Sequence, residues 1–395
     1  MYLTGESPHA PPVSPQEPPV PRRALLVVGM HRSGTSALTR VLSLCGAGLP
    51  AQLMRGRLGN ETGHWEPERI VDAHDAFLQA SSSSWTDLAP IPVTEPVLSA
   101  QTETLARQLA TLVEEEYRGA SLLVIKDPRL ALVLPVWRTV LPSLGIEPFA
   151  IIPIRDPVEV ARSLAVRDGV SAERTLVLWL RYMLCAERYS RGLRRCFVSY
   201  PHLLDDWRAT VAGISSRTGL EFPAVTDEAA SEIGRFLRKD LRHQSGAQGQ
   251  EQRLAVPPIV ARAAALFAAA AEGDEPDPQV MDALSAELDA AWSTLGGAFH
   301  RADQTAEQLR WQLVRVEEHS STLTAQLKAL RAAAADAQRA VELARSEAEL
   351  ERARRQAMES SVSWTLTTPL RETSGRYPGL AKPFRALARL ALGRD

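Results

Sequence analysis

Residues 25–42, LLVVGMHRSGTSALTRVL, decide the fold. An apolar run ends in Gly29, a loop of small and polar residues follows, and SALTRVL then places apolar residues at helical spacing. A strand that turns through glycines into a helix aims several backbone N–H groups, and the positive end of the helix dipole, at one point. Such a point suits an anion. Gly29 and Gly34 keep the spacing of the nucleotide-triphosphatase loop G-x-x-x-x-G-K-[ST], but Thr35 stands where that loop carries its lysine. Arg32 instead puts a permanent charge, with a flat fork of donors matching phosphate or sulfate oxygens, inside the loop. His31, Ser33, Gly34, Thr35 and Ser36 complete the candidate cradle. The competing reading is a helix capped by Ser33 or Thr35, with Arg32 as a surface charge.

Outward from this stretch the chain alternates. ALLVVG (24–29), LLVIKD (122–127), PFAIIPIRD (148–156) and RCFVSYPHLL (195–204) read as strands buried on both faces, separated by helical patterns. The expected architecture is α/β: a P-loop-like three-layer αβα unit with a central parallel sheet. Functional loops then lie at the carboxyl ends of the strands. Residues 1–22 are proline-rich and polar and read as a disordered tail. The expected divisions are a main domain at 23–245, an alanine-rich helical extension at 246–298, a coiled coil at 299–357 and a flexible tail at 358–395. The coiled coil rests on apolar residues stepping alternately by four and three from Leu309 to Ala348, which implies a homo-oligomer or a partner helix. A long helix folded back on the main domain is the alternative. In the tail, Pro369 is expected to break the helix, and a short basic amphipathic end offers a weak membrane contact.

Composition narrows the function. The net charge of −2 lacks the basic excess of a nucleic-acid binder. Three cysteines without C-x-x-C spacing argue against a disulfide framework or a zinc site and fit a reducing compartment. With no apolar leader core and no run long enough to span a membrane, the expected location is cytoplasmic.

A second element, IRDPVEVARSL, sets Arg155 at a strand terminus and Ser163 eight residues later, about two turns into a helix that starts near Pro157. Together the two elements resemble the sulfotransferases that use 3′-phosphoadenosine 5′-phosphosulfate (PAPS). HRSGTS is similar to the arginine form of that family's 5′-phosphosulfate loop, and R-D-P-x-x-x-x-x-S is similar to its 3′-phosphate element. VSYPHLLDD resembles the family's Y-x-x-L segment through Tyr200 and Leu203. The resemblance covers roughly residues 24–245. It implies PAPS as sulfuryl donor, no metal, Arg32 as the charge at the transferring group, and Arg155 with Ser163 on the 3′-phosphate. Lys126, in a KDPR that related bacterial sequences also carry, is implied as a second catalytic charge; its rival reading is a salt bridge to Asp127 or a nearby acid.

The resemblance also implies a glutamate or histidine base after the phosphosulfate helix, in RGRLGNETGHWEPERIVDAHDAFL. Glu66 is the first candidate and His64 the second, with Glu61 behind them; Glu68 and His74 read as solvated helix residues. Glu66 otherwise serves the N-terminus of the following helix. The family's basic lid has only a weak counterpart in Arg238, Lys239, Arg242 and His243. SVSWTLTTPLR (361–371) resembles a segment at the ends of bacterial polysaccharide-assembly proteins, which points to a surface glycan or its precursor as acceptor. Two alternatives stand: a P-loop small-molecule kinase, and a non-catalytic coiled-coil scaffold with a decayed sulfotransferase domain.

Overall fold

The structure, a computed structural model, describes residues 21–54, 65–89, 100–223, 225–237 and 254–377. Strands β1 (Arg22–Val27), β2 (Leu122–Lys126), β3 (Ile146–Ile154) and β4 (Arg194–Ser199) form one parallel sheet in the order β2-β1-β3-β4. Leu25 pairs with Val124 on one side and with Phe149 on the other, and Ile151 pairs with Cys196. Between β1 and β2 run α1 (Thr35–Leu44), α2 (Glu68–Ala80) and α3 (Ala100–Glu116). Helix α4 (Leu130–Ser143) leads to β3, and α5 (Pro157–Asp168) with α6 (Ala172–Ser190) leads to β4. The connection after β1 leads to one edge of the sheet and that after β3 to the other. The carboxyl ends of β1 and β3 therefore flank the topological switch point, where ligands bind in open α/β sheets.

Alternation along the strands divides the core in two. Ala24, Leu26, Val28 and Ile152 join the cluster that α4 and α6 supply with Trp137 and Trp179. Leu25, Val27, Phe149 and Ile151 face the cluster that α1 supplies with Leu38, Val41 and Leu42. Helices α7 (Tyr200–Asp205), α8 (Trp207–Thr218) and α9 (Asp227–Phe236) follow β4, and Leu203, Ile214 and Ile233 belong to this second cluster. The result is the expected three-layer αβα arrangement around a parallel sheet.

Three local expectations change. RCFVSYPHLL is not strand throughout: β4 ends at Ser199, whose hydroxyl caps α7 by accepting from His202 N, with Pro201 in the first turn. The expected boundary at 245 meets a continuous core, because Val260, Ala263 and Phe267 of α10 (Pro258–Glu272) are buried against β4 and α6. Met281 and Leu284, at the start of α11 (Pro278–Glu359), are also buried, and the first compact unit extends to Phe299. In the second unit, Pro369 lies inside α12 (Val362–Arg376). The break comes earlier, at Ser360–Ser361, where Ser361 caps α12 by accepting from Trp364 N. No described helix is long and apolar enough to cross a membrane.

Candidate active site

The loop after β1 begins α1 without a side-chain cap. Gly34 is the N-cap at φ +89°, and neither Ser33 nor Thr35 supplies the capping hydroxyl. Close approach explains this glycine: a Cβ there would lie 2.1 Å from Tyr200 Cδ2. Arg32, just before, also adopts a left-handed backbone, φ +66°, a strained geometry for a side chain of that size. The strain turns its guanidinium toward α5, where Nε donates to Ser163 Oγ at 2.8 Å. Arg155, at the end of β3, donates from Nη1 to the Arg32 carbonyl at 2.9 Å and from Nε to Glu159 at 2.9 Å, and its guanidinium lies over the Tyr200 ring. Asp156 fixes the start of α5 by accepting from Val158 N and Glu159 N. The two elements expected at opposite ends of a donor thus meet around Arg32.

Charge is unevenly matched here. Arg155 is paired with Glu159, and Arg167 with Asp168 at 2.6 Å. Arg32 has no carboxylate partner among the described residues; its side chain bonds to the neutral Ser163. Its pKa is lowered by burial first, then by the nearby Arg167 and Arg155. Two buried polar atoms of the same loop, His31 Nε2 and Ser33 Oγ, also lack hydrogen-bond partners among the described residues. His31 lies against Trp85, with ring centroids 4.5 Å apart, and near Tyr182. Burial, reinforced by Arg129 and Arg167, pushes its pKa well below the ordinary imidazole range, so the ring is neutral.

On the other flank, Lys126 leaves the end of β2 and is 2% exposed. Its ammonium donates to Ser36 Oγ at 3.1 Å and to Glu66 Oε1. Glu66 is 5% exposed. Lys126 thus makes the salt bridge to a nearby acid that its rival reading describes, with Glu66 and not Asp127 as the acid, and the side chain of Glu66 makes no capping hydrogen bond to α2. Burial raises the Glu66 pKa and Asp127 adds to the rise, against the pull of Lys126. Glu66 Oε2 takes no hydrogen bond among the described residues.

Beneath the pair lies a buried network. Asp127 accepts from Arg129 and is 2.6 Å from His74 Nδ1, while Trp137 Nε1 donates to His74 Nε2 at 3.0 Å. An indole N–H can only donate, so His74 Nε2 is the bare nitrogen and Nδ1 carries the proton toward Asp127. His74 is therefore a fully buried structural residue and not a solvated one; it sits on the apolar stripe of α2 with Ile70, Val71, Phe77 and Leu78. Burial alone would raise the Asp127 pKa, but Arg129 and His74 hold it well below the usual carboxylate range. Arg129 also grips Asp75 at 2.6 and 2.9 Å. Glu68 is exposed.

The wall beside His31 is an irregular segment, residues 81–89, held by α6. Arg174 donates to Thr86 O at 2.6 Å, Arg181 to Leu88 O, and Tyr182 to Trp85 O at 2.8 Å. Sequence reasoning missed this wall, because its anchors are backbone carbonyls that leave no residue signature. His64, Glu61, Arg238, Lys239, Arg242 and His243 lie outside the described residues. Among the described residues no group of three or more His, Cys, Asp or Glu is placed to hold a metal.

No known family pattern and no curated protein sequence matches the chain. Among solved structures, the chain is similar to the sulfotransferase domain from the Synechococcus PCC 7002 olefin synthase, at 17% identity and a TM-score of 0.39, over 64% of this chain and 98% of that one. It is also similar to the sulfotransferase domain from the curacin biosynthetic pathway, at 13% identity and a TM-score of 0.38, over 62% of this chain and 98% of that one.

Proposed function

We propose that the protein is a PAPS-dependent sulfotransferase that moves a sulfuryl group to a hydroxyl or amine of an acceptor. One observation carries the reading: Arg32 is a half-buried guanidinium in a strand-to-helix loop, crowded by Arg155 and Arg167 and without a carboxylate of its own among the described residues. A half-buried charge drawn partly out of water, and crowded by like charges, suits an anionic ligand. His31 Nε2 and Ser33 Oγ, without partners among the described residues, and the glycine that lets the backbone close under Tyr200, fit a phosphosulfate. Bound PAPS would supply an activated sulfuryl group on a phosphate leaving group.

In this reading His31, Ser33, Gly34, Thr35 and Ser36 present loop donors to the phosphosulfate, and Arg32 places fixed charge on the transferring group. Arg155 and Ser163 hold the 3′-phosphate, so on binding Ser163 exchanges its bond from Arg32 for one to the ligand. Lys126 steadies the transferring oxygens and holds Glu66 by Oε1. Glu66 Oε2 accepts the proton of the attacking hydroxyl, and burial favours it as a base by raising its affinity for that proton. Charge neutralisation by Arg32 and Lys126 needs no metal at this site. For the acceptor, we propose a glycan or its precursor, on the resemblance of residues 361–371 alone.

The test is ligand-dependent stability. PAPS or its product 3′,5′-ADP should raise the melting temperature without magnesium, because a ligand bound only to the native state stabilises it by mass action. Stabilisation by Mg-ATP but not by 3′,5′-ADP would move the assignment to a kinase. Stabilisation by neither would move it to a scaffold.

A further inference from the structure

In the second unit, α11 exposes a continuous apolar stripe. Leu309, Leu313, Leu323, Leu327 and Leu330 are 49–69% exposed, and Val316 and Val341 share the same face. No described residue covers them, and Leu366 and Leu370 of α12 are exposed as well. Trp311 and Val314 lie off the stripe and do not recur at its spacing. The repeat is heptad, with Leu313, Leu327 and Val341 at a positions and Leu309, Leu323 and Leu330 at d.

We propose that a second copy of this chain covers the stripe, forming a parallel, in-register, two-stranded coiled coil over residues 309–348. The flanking charges choose the direction. In a parallel pair each g residue faces the e residue five positions on in the other copy. Gln312 then meets Glu317, His319 meets Thr324, Gln326 meets Arg331, and Glu347 meets Arg352. No facing pair carries like charges, and the last is an attraction.

Antiparallel pairing does worse in either register. Overlapping the two leucine-rich halves sets Glu317 against Glu317 and His319 against His319, and leaves the alanine-rich halves unpaired. Sliding to full overlap packs each leucine-rich half on an alanine-rich half, opposite Ala334, Ala337, Ala344 and Ala348. Only the parallel in-register pairing layers leucine on leucine and also keeps the alanine-rich halves paired. The small alanine layers let two helices approach closely, which suits a two-stranded pair. Ser320, at an a position among leucines, then faces Ser320 of the other copy. There the two hydroxyls bond across the seam, which a shifted register would forfeit.

The experiment uses the full chain. Sedimentation at micromolar concentration should give twice the 43.2 kDa of one chain. Leu327→Asp should raise the dissociation constant by ~100-fold or more without shifting the thermal unfolding of the first unit. Under mild oxidation Ser320→Cys should form a covalent dimer and the unmodified chain should not, since Cys45 and Cys196 are buried and Cys185 half-buried. In a mixture of Leu309→Cys and Ala348→Cys chains, no disulfide should join residue 309 of one copy to residue 348 of the other. A monomer or a trimer by sedimentation overturns the proposal. So does a dimer in which Ser320→Cys stays reduced, or one in which a disulfide joins residue 309 of one copy to residue 348 of the other.

Discussion

Replacing Lys126 by methionine tests the heart of the site. Both members of its pair are almost fully buried, Lys126 at 2% and Glu66 at 5% exposure. Removing one partner strands a buried carboxylate, which typically costs about 3–5 kcal/mol, whereas replacing both members by neutral groups of similar volume is often near neutral. We expect Lys126→Met to lose about 3 kcal/mol at neutral pH. The double variant Lys126→Met/Glu66→Gln should return to within about 1 kcal/mol of wild type, a coupling of ~2–3 kcal/mol. The penalty has a pH signature. Burial already raises the Glu66 pKa, and without Lys126 the carboxyl binds its proton more tightly still. The Lys126→Met deficit should therefore shrink as pH falls toward the carboxylate range. The assay is urea unfolding of wild type, both single variants and the double variant across that pH range. Two additive single losses, each under about 1 kcal/mol, would refute the pairing and its contribution to the site.

Further outcomes follow from neighbouring contacts. Glu66→Gln should lower sulfuryl transfer by ~10²–10⁴-fold while 3′,5′-ADP binding stays near wild type, as read by single-turnover kinetics and calorimetry. Arg155→Ala should weaken 3′,5′-ADP by ~10–100-fold in the same calorimeter, since a charge-assisted contact is lost; unchanged affinity would remove it from the 3′-phosphate. Gly34→Ala should destabilise by at least ~2 kcal/mol in thermal melts, because the new Cβ meets Tyr200 and the backbone is left-handed. Asp127 has a depressed folded pKa, so its stabilisation is full above the ordinary aspartate value of ~3.9 and is lost as pH falls below it. Asp127→Asn should flatten that acid limb.

The sheet was legible because parallel strands buried on both faces read as short continuous apolar runs, and all four appear where such runs stand. Their ends were less legible: Ser199 and Pro201 carry a cap-and-first-turn signal that the apolar run through Leu204 obscured. Arg32, Arg155 and Ser163 were singled out by motif spacing, and the structure brings Arg32 and Ser163 into contact although they stand 131 positions apart. Motif spacing assigned them to separate subsites and had no means of showing that they touch. The Glu66–Lys126 pair joins residues 60 positions apart through tertiary packing, and nothing local to either announces it. His74 was readable and misread, since its three- and four-residue spacing from Ile70, Val71, Phe77 and Leu78 puts it on the buried stripe of α2. Alanine-rich α10 looked like an appendage because alanine fits helices of any environment; its place in the core rests on a few side chains, Val260 and Phe267 foremost.

The grip of α6 on residues 85–88 has a consequence for how this protein could diversify. Arg174, Arg181 and Tyr182 hold carbonyl oxygens, a group that every amino acid possesses. These backbone bonds do not depend on the side chain at 86, whereas Leu88 lies in the core and Trp85 packs against it, and α6 itself stays packed against α4 and α5. The surface beside His31 can change its chemistry at Thr86 with the frame that carries Ser163 left as it is.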